Sequence, residues 1–250
     1  MKSKSLFILI LFFLSLSLSA EELPTVDYFS IADTAGPLQI FDGESFTGIV
    51  TDVLREILED RAEIRFHNIP IVRMKRYMLV RRFPNWITYG TPGWRDSPQS
   101  WRLSEVPVFT AENVLVSRRG EVVPAPAHFA GRTVVLIEGF DYPGLEPYLE
   151  DGTIRILRVH NYKAALRAIR LGRGDCFPGM GLRVQYTMKQ EGLTPGDFEI
   201  SSFEEILPDY GIYLSFSLEF PDDLYDSINR ELEELRRDGY VDQVIARYTR

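Results

Sequence analysis

The chain has 250 residues, with 28 Lys and Arg against 36 Asp and Glu, a formal net charge of −8, one cysteine and three histidines. Such acidity argues against nucleic acid or an anionic membrane as a partner, since both reward a basic face. One cysteine permits no internal disulfide, and one Cys with three scattered His gives no spacing for a structural zinc, so no cofactor or metal is expected.

The first residues are MKSKSLFILILFFLSLSLSA. Two lysines precede an apolar run from Leu6 to Leu14, and serine then alternates with leucine up to Ala20. This is the order of a secretory signal peptide, with cleavage expected near Ala20 or after Ser19. The apolar run is shorter than the roughly 20 residues a spanning helix needs. No cysteine follows it to accept a lipid. The expectation is an exported, monomeric periplasmic protein whose remaining chain, about 230 residues, can bury one or two ordinary cores.

Thr25 to Ile31 reads as a strand, and Gly36 to Glu44 as a turn-rich loop. Ile49, Val50, Val53, Leu54, Ile57 and Leu58 recur at three- and four-residue spacing, with Asp52, Glu56 and Glu59 off that stripe, which predicts a helix. Ile64 to Ile69 alternates like a strand, Ile71 to Val80 is helical after Pro70, and Trp86 to Tyr89 is a short strand.

The pattern then restarts. Asn113 to Ser117 is strand-like, GEVVPAPAHFAG is a proline-broken loop, and TVVLI (Thr133 to Ile137) is an apolar run of the kind buried in a parallel sheet. Ile154 to Val159 is a further strand. Asn161 can cap a helix burying Tyr162, Ala165, Leu166 and Ile169. In RLGRGDCFPGM, Gly172 and Gly174 end that helix, Asp175 closes the turn, and Cys176 with Phe177 begins a buried strand, so the thiol reads as core and the Arg-Gly-Asp triplet as a turn. Tyr210 to Phe216 is a strand, and the helices Leu224 to Arg237 and Val241 to Tyr248 close the chain around Asp238 and Gly239. Two runs of alternating strands and helices predict an α/β fold with two lobes and mostly parallel sheets.

Taken together, these segments resemble the bacterial extracellular solute-binding proteins of family 3, the polar amino-acid type. INRELEELRRDGYVDQVIARY resembles that family's closing helices around an Asp-Gly turn, and AALRAIRLGRGDCF its helix, glycine turn and Asp-led strand. SFTGIVTDVLREI matches its pattern of a glycine, Gly48, four residues before an aspartate, Asp52. SEVPVFTAENVLVSRRG, GRTVVLIEGF and DYGIYLSFS resemble the segments that leave the first lobe, open the second and return. The resemblance implies a periplasmic-binding-protein-like type II fold: a signal peptide over 1–20, lobe 1 over 21–115 and 212–250, and lobe 2 over 116–211, with two interlobe crossings and ligand in the cleft between them.

The family holds a ligand carboxylate with an arginine after a Gly/Thr-rich turn, because a planar guanidinium can donate two parallel hydrogen bonds. The corresponding turn here is YGTPGWRDS, which nominates Gly90, Thr91 and Arg95, with Arg102 as the alternative. Pro70 and Arg73 resemble a Pro-x-x-Arg element of the same group. Tyr28, Phe29, Trp86, Tyr89 and Trp94 are aromatic residues available to cover an apolar part of a ligand. In EGFDYPG, Asp141 either borders an anion-binding helix start or simply caps the helix. The family's amino-acid binders place an acidic residue where this chain has Met180, and methionine cannot pair with an ammonium group.

The resemblance implies capture of a small polar organic ligand, an amino acid or related compound, for delivery to the membrane permease of an ABC transporter. Two alternatives stay open: a sensing subunit for a membrane receptor, and a dehydratase-like enzyme using Glu138, Asp141 or His160 as acid or base. The chain contains no Gly-x-Ser-x-Gly, His-Glu-x-x-His or phosphate-loop motif, so it is expected to be non-catalytic.

Overall fold

The computed structural model describes residues 23–31, 35–79, 83–94, 101–121, 129–140, 142–150 and 152–250. The expected signal peptide, Arg95 and Asp141 lie outside the described residues. Among those described, no helix is long and apolar enough to cross a membrane.

The first lobe is built on β1 (Thr25–Ser30), which is buried along nearly its whole length, as expected of a strand covered on both faces. It pairs in parallel with β4 (Glu63–Asn68) and β5 (Trp86–Gly90). Between β1 and β4 the chain forms a two-stranded hairpin, β2 (Ile40–Phe41) with β3 (Phe46–Thr47), and then helix α1 (Ile49–Leu58). The hairpin falls partly in the stretch expected to be loop. Asp42 makes its turn: one carboxylate oxygen accepts from the N–H groups of Glu44 and Ser45 at 2.9 and 2.8 Å. These bonds hold the carboxyl below its usual pKa, because they favour the ionised form.

The apolar stripe of α1 is buried as its spacing predicts. Helix α2 (Ile71–Leu79) follows β4. Short strands β6 (Arg102–Leu103) and β7 (Phe109–Ala111) come next, and the chain then leaves this sheet. The first sheet is completed by β13 (Tyr210–Phe216), giving six strands in the order β4-β1-β5-β13-β6, with β7 also paired to β13.

The second lobe holds a five-stranded sheet. Its members are β8 (Asn113–Arg118), β9 (Thr133–Ile137), β10 (Arg155–Val159), β11 (Cys176–Met180) and β12 (Phe198–Ser202), in the order β10-β9-β11-β8-β12. Each sheet contains the parallel trio that strand-helix alternation predicts. The strands beside each crossing, β13 with β6 and β7 in one sheet and β8 with β12 in the other, add antiparallel pairs and make both sheets mixed. The chain passes from the first sheet to the second at Glu112 and returns between Ser202 and Tyr210. This is a two-lobed periplasmic-binding-protein type II fold.

Helices α3 (Glu146–Glu150), α4 (Tyr162–Arg170) and α5 (Gly181–Gln190) pack on the second lobe, and α6 (Asp222–Arg237) with α7 (Tyr240–Thr249) closes the first. Asn161 caps α4 as expected, its side chain accepting from the Ala164 N–H at 2.9 Å. The stretch RLGRGDCFPGM also matches its expectation. Gly172 takes a left-handed φ of 67° after the helix, where a residue with a Cβ is strained. Asp175 locks the turn to β9: its carboxylate accepts from the Thr133 N–H at 2.6 Å, and its own N–H donates to the Thr133 carbonyl at 2.8 Å. Cys176 is fully buried, and burial pushes its thiol up to about 12.

Four apolar clusters lie within the lobes among the described residues. In the first lobe one joins β1, α1, β5, β13, α6 and α7, and a smaller one holds Phe29, Met74 and Trp86. Two lie in the second lobe: Val116, Val135, Leu166 and Val184 belong to one, and Phe129, Leu136, Cys176 and Phe203 to the other.

Candidate functional site

In sheets with parallel strands, the loops beyond the carboxyl ends of those strands converge on one edge, where ligands are held. In the first lobe that edge carries Gly90 and Thr91 at the end of β5. In the second it carries Phe140 after β9, His160 after β10, and Met180 with α5 after β11. Residues from the two edges meet.

The meeting point is Arg183, in the first turn of α5. It is only 8% exposed. Its guanidinium lies within electrostatic and hydrogen-bonding reach of Tyr89 of β5, across the gap between the lobes. It lies 5.9 Å from the ring centre of Tyr162 on α4 and 5.8 Å from that of Phe140. Tyr210, at the start of the returning strand, is within electrostatic reach. The Nε of Arg183 is buried and has no hydrogen-bond partner.

Each tyrosine around it is neutral at ordinary pH. Burial raises the hydroxyls of Tyr89, Tyr162 and Tyr210 above the usual phenol range, Tyr210 to about 12, and the Arg183 charge pulls all three partly back. The Tyr162 hydroxyl accepts from the Met180 N–H at 3.0 Å. Among the described residues no carboxylate pairs with Arg183. A buried charge is expensive to leave without a counter-ion. The arrangement is therefore a fixed cation with an open donor, surrounded by hydroxyls and ring faces, which is suited to an anion.

Of the residues nominated from sequence, Gly90 and Thr91 stand beside Tyr89 and are buried. Gly90 is required by close packing: a Cβ there would stand 2.5 Å from Ser215 Oγ on β13. Met180 is 4% exposed and packs with the first-lobe core, although it belongs to β11 of the second sheet. Tyr28 is fully buried beneath the first-lobe edge and its hydroxyl is 3.0 Å from Thr51 Oγ1. Arg73 is exposed in the first turn of α2. Arg102 is engaged elsewhere, 2.6 Å from Asp222 and with its guanidinium 3.8 Å over the Tyr225 ring.

Sequence reasoning missed Arg183 because it missed α5. The run GLRVQYTMKQ begins with glycine and shows no single apolar stripe, since this helix has two buried neighbours. Val184 and Met188 face the second-lobe core, while Leu182 packs on the first. Two opposed buried sides erase the one-sided periodicity by which a surface helix is recognised. The signal available was an arginine three residues beyond the position where the family places its acidic residue.

Another concave surface lies elsewhere. A groove of about 380 Å³ runs between β7, α5 and α7, lined by Phe109, Glu112, Leu182, Gln185, Arg236 and Asp242 among others. None of its lining residues carries a buried polar side-chain atom without a partner, as Arg183 does, so the chemistry points to Arg183 instead.

No protein-family model matches the chain, and no curated protein sequence matches it. Solved structures do. One, from work on glutathione import via GshT and the cystine ABC importer TcyBC of Streptococcus mutans, superposes with a TM-score of 0.69 at 15% identity, covering 91% of this chain and 95% of the other. The second substrate-binding domain of Lactococcus lactis GlnP in its open conformation gives 0.68 at 14% identity, covering 92% and 96%. The periplasmic VFT2 domain of Bordetella pertussis BvgS gives 0.64 at 18% identity, covering 90% and 93%. The likeness is one of fold.

Proposed function

We propose that this chain is an extracytoplasmic solute-binding protein, of the kind that family 3 represents, which captures a small polar organic ligand between its lobes and delivers it to an ABC transporter permease. The observation that carries the reading is Arg183: a buried guanidinium between the two lobes, with an unused donor and no carboxylate partner among the described residues. The shared fold with the GlnP substrate-binding domain supports it. Gly90, Thr91, Tyr89 and Met180 border the ligand in this reading. Arg95 and Arg73 remain proposed contacts of the opened cleft.

No catalytic role is proposed. Glu138 and His160, the acid and base a dehydratase would need, pair with each other at 2.8 Å, with side chains 50% and 84% exposed. A general acid or base works in a site that excludes water and tunes its pKa, and this pair stands in solvent.

The test is calorimetric titration of the chain from Glu21 onward against a panel of amino acids, polyamines and small organic acids. Saturable binding of at least one compound, with compaction of the protein on saturation, is the expected result. An absence of binding throughout the panel removes the reading.

A further inference from the structure

Arg183 carries a positive charge that no carboxylate among the described residues neutralises. We propose that Arg183 anchors the carboxylate of the ligand, and that the site selects organic acids with a planar apolar body and no ammonium group. This rests on the solute-binding reading above and narrows it to a ligand class.

The donor geometry comes first. A guanidinium holds a carboxylate in a fork of two N–H groups. The Nε–H of Arg183 has no partner although it is buried, so one prong of the side-on fork is free while Tyr89 engages the guanidinium from the other lobe. Arg183 also sits in the first turn of α5, where Met180 provides no side-chain cap. The Gly181 N–H donates to the Glu112 carbonyl at 2.8 Å, and the N–H groups that follow it at the helix start add to the positive potential there.

The walls come second. Phe140 is 40% exposed at the site edge. Its ring meets that of Tyr162 edge-on, with centres 6.4 Å apart, and both rings flank the guanidinium. Two aromatic rings side by side next to an anion anchor fit an apolar body attached to the carboxylate.

The missing charge comes third. An α-amino acid needs a carboxylate for its ammonium group. Among the described residues, Tyr162 and Tyr210 interact electrostatically with other tyrosines and with Arg183 rather than with an Asp or Glu. Met180 is buried in apolar surroundings. An ammonium group placed beside Arg183 would meet a like charge with no carboxylate among the described residues to offset it, which disfavours amino acids relative to their deaminated counterparts.

The experiment titrates the exported chain with phenylacetate, phenylpropionate and benzoate, in parallel with L-phenylalanine, L-glutamine and the neutral isostere phenylacetamide. At least one of the three acids is expected to bind, phenylacetamide to bind not at all, and L-phenylalanine at least tenfold more weakly than phenylpropionate. Arg183→Gln is expected to weaken binding of the acid about 30-fold or more, the loss of a charge-assisted hydrogen-bond pair. Arg183→Lys, which keeps the charge but not the fork, should recover part of it. A melting curve checks that each variant is folded, and the acid-against-amide comparison on the unaltered protein stands if neither variant is.

If amino acids bind and the acids do not, the ligand class is wrong while the solute-binding reading stands. If the acids bind equally well to folded Arg183→Gln, the anchor is wrong. If nothing in the wider panel binds, both fall.

Discussion

Arg183 of the second lobe stands within hydrogen-bonding reach of Tyr89 of the first. The two lobes touch elsewhere as well: a Cβ at Gly36 would lie 3.3 Å from Tyr186 of α5, and the Lys189 ammonium donates to the Arg247 carbonyl at 2.7 Å. Helix α5 thus carries all three of these contacts between the lobes. Tyr89→Phe removes one bond to a charged group, a contribution of about 1.5–3 kcal/mol to whichever state contains it. The expected outcome is a larger open population in ligand-free protein, read as an increased radius of gyration in small-angle X-ray scattering. An unchanged radius would assign closure to the Gly36 and Lys189 contacts instead.

Gly90 tests whether the proposed cleft edge is held by packing. Gly90→Ala places a Cβ 2.5 Å from Ser215 Oγ, an overlap that costs about 1–3 kcal/mol. That oxygen is buried and has no hydrogen-bond partner, so Ser215→Ala loses little and vacates the space the new methyl needs. Urea denaturation should show Gly90→Ala destabilised, Ser215→Ala near neutral, and the double variant close to the unaltered protein. A double variant as unstable as Gly90→Ala would mean that the backbone of β5, rather than the clash, sets the requirement for glycine.

Much of this architecture is legible in the residues, and the reasons are local. TVVLI and YGIYLSF are buried strands with no competing period, and Asn161, Gly172 and Gly239 mark helix ends by capping and left-handed backbone conformation. Short strands such as β6 and β7 carry too few residues for alternation to register. Helix α5 is hidden for the opposite reason, since both its sides are covered. The candidate site is less legible because it is assembled from four separate segments: β5, the loop after β9, the start of α4 and the start of α5. Arg102 shows the complementary error. An arginine beside a plausible turn has the right chemistry in sequence, but Asp222 and Tyr225, 120 or more residues away, already occupy it.

The buried thiol and tyrosines give the protein a defined response to alkali. Burial holds the Cys176 thiol at about 12 and Tyr210 at about 12, and raises Tyr28, Tyr89 and Tyr162 as well. In the unfolded chain a free thiol titrates near 8.5 and a phenol near 10. Between the unfolded and folded values the native state binds more protons, so stability falls as pH rises. Stability is expected to be flat in this respect below about pH 8.5 and to decline progressively through about pH 12. Urea midpoints measured from pH 7 to pH 11 check this. At pH 8 the native thiol should be inert to iodoacetamide and become labelled only when urea unfolds the chain.

Tyr248 joins the end of the chain to its first helix. Its hydroxyl accepts from the Gly48 N–H at 2.7 Å and donates to the Asp52 carboxylate at 2.8 Å, while Arg247 stands 3.6 Å from the same oxygen. The Gly48 to Asp52 pattern therefore serves to dock α7 on α1. Gly48 has a φ of 118°, and a Cβ there would meet the Leu38 carbonyl at 2.6 Å, so the backbone N–H is presented by a conformation that other residues rarely adopt. Tyr248→Phe strips both partners at once and should cost about 1–3 kcal/mol, since each is left without its bond in a partly buried place. Asp52→Asn keeps an acceptor and should cost less. The two changes share one bond, so their effects should fall short of additive by about 1 kcal/mol in a double-mutant cycle measured by urea denaturation. Full additivity would mean that the apolar contacts of α7, through Val241 and Val244, fix its position without the tyrosine.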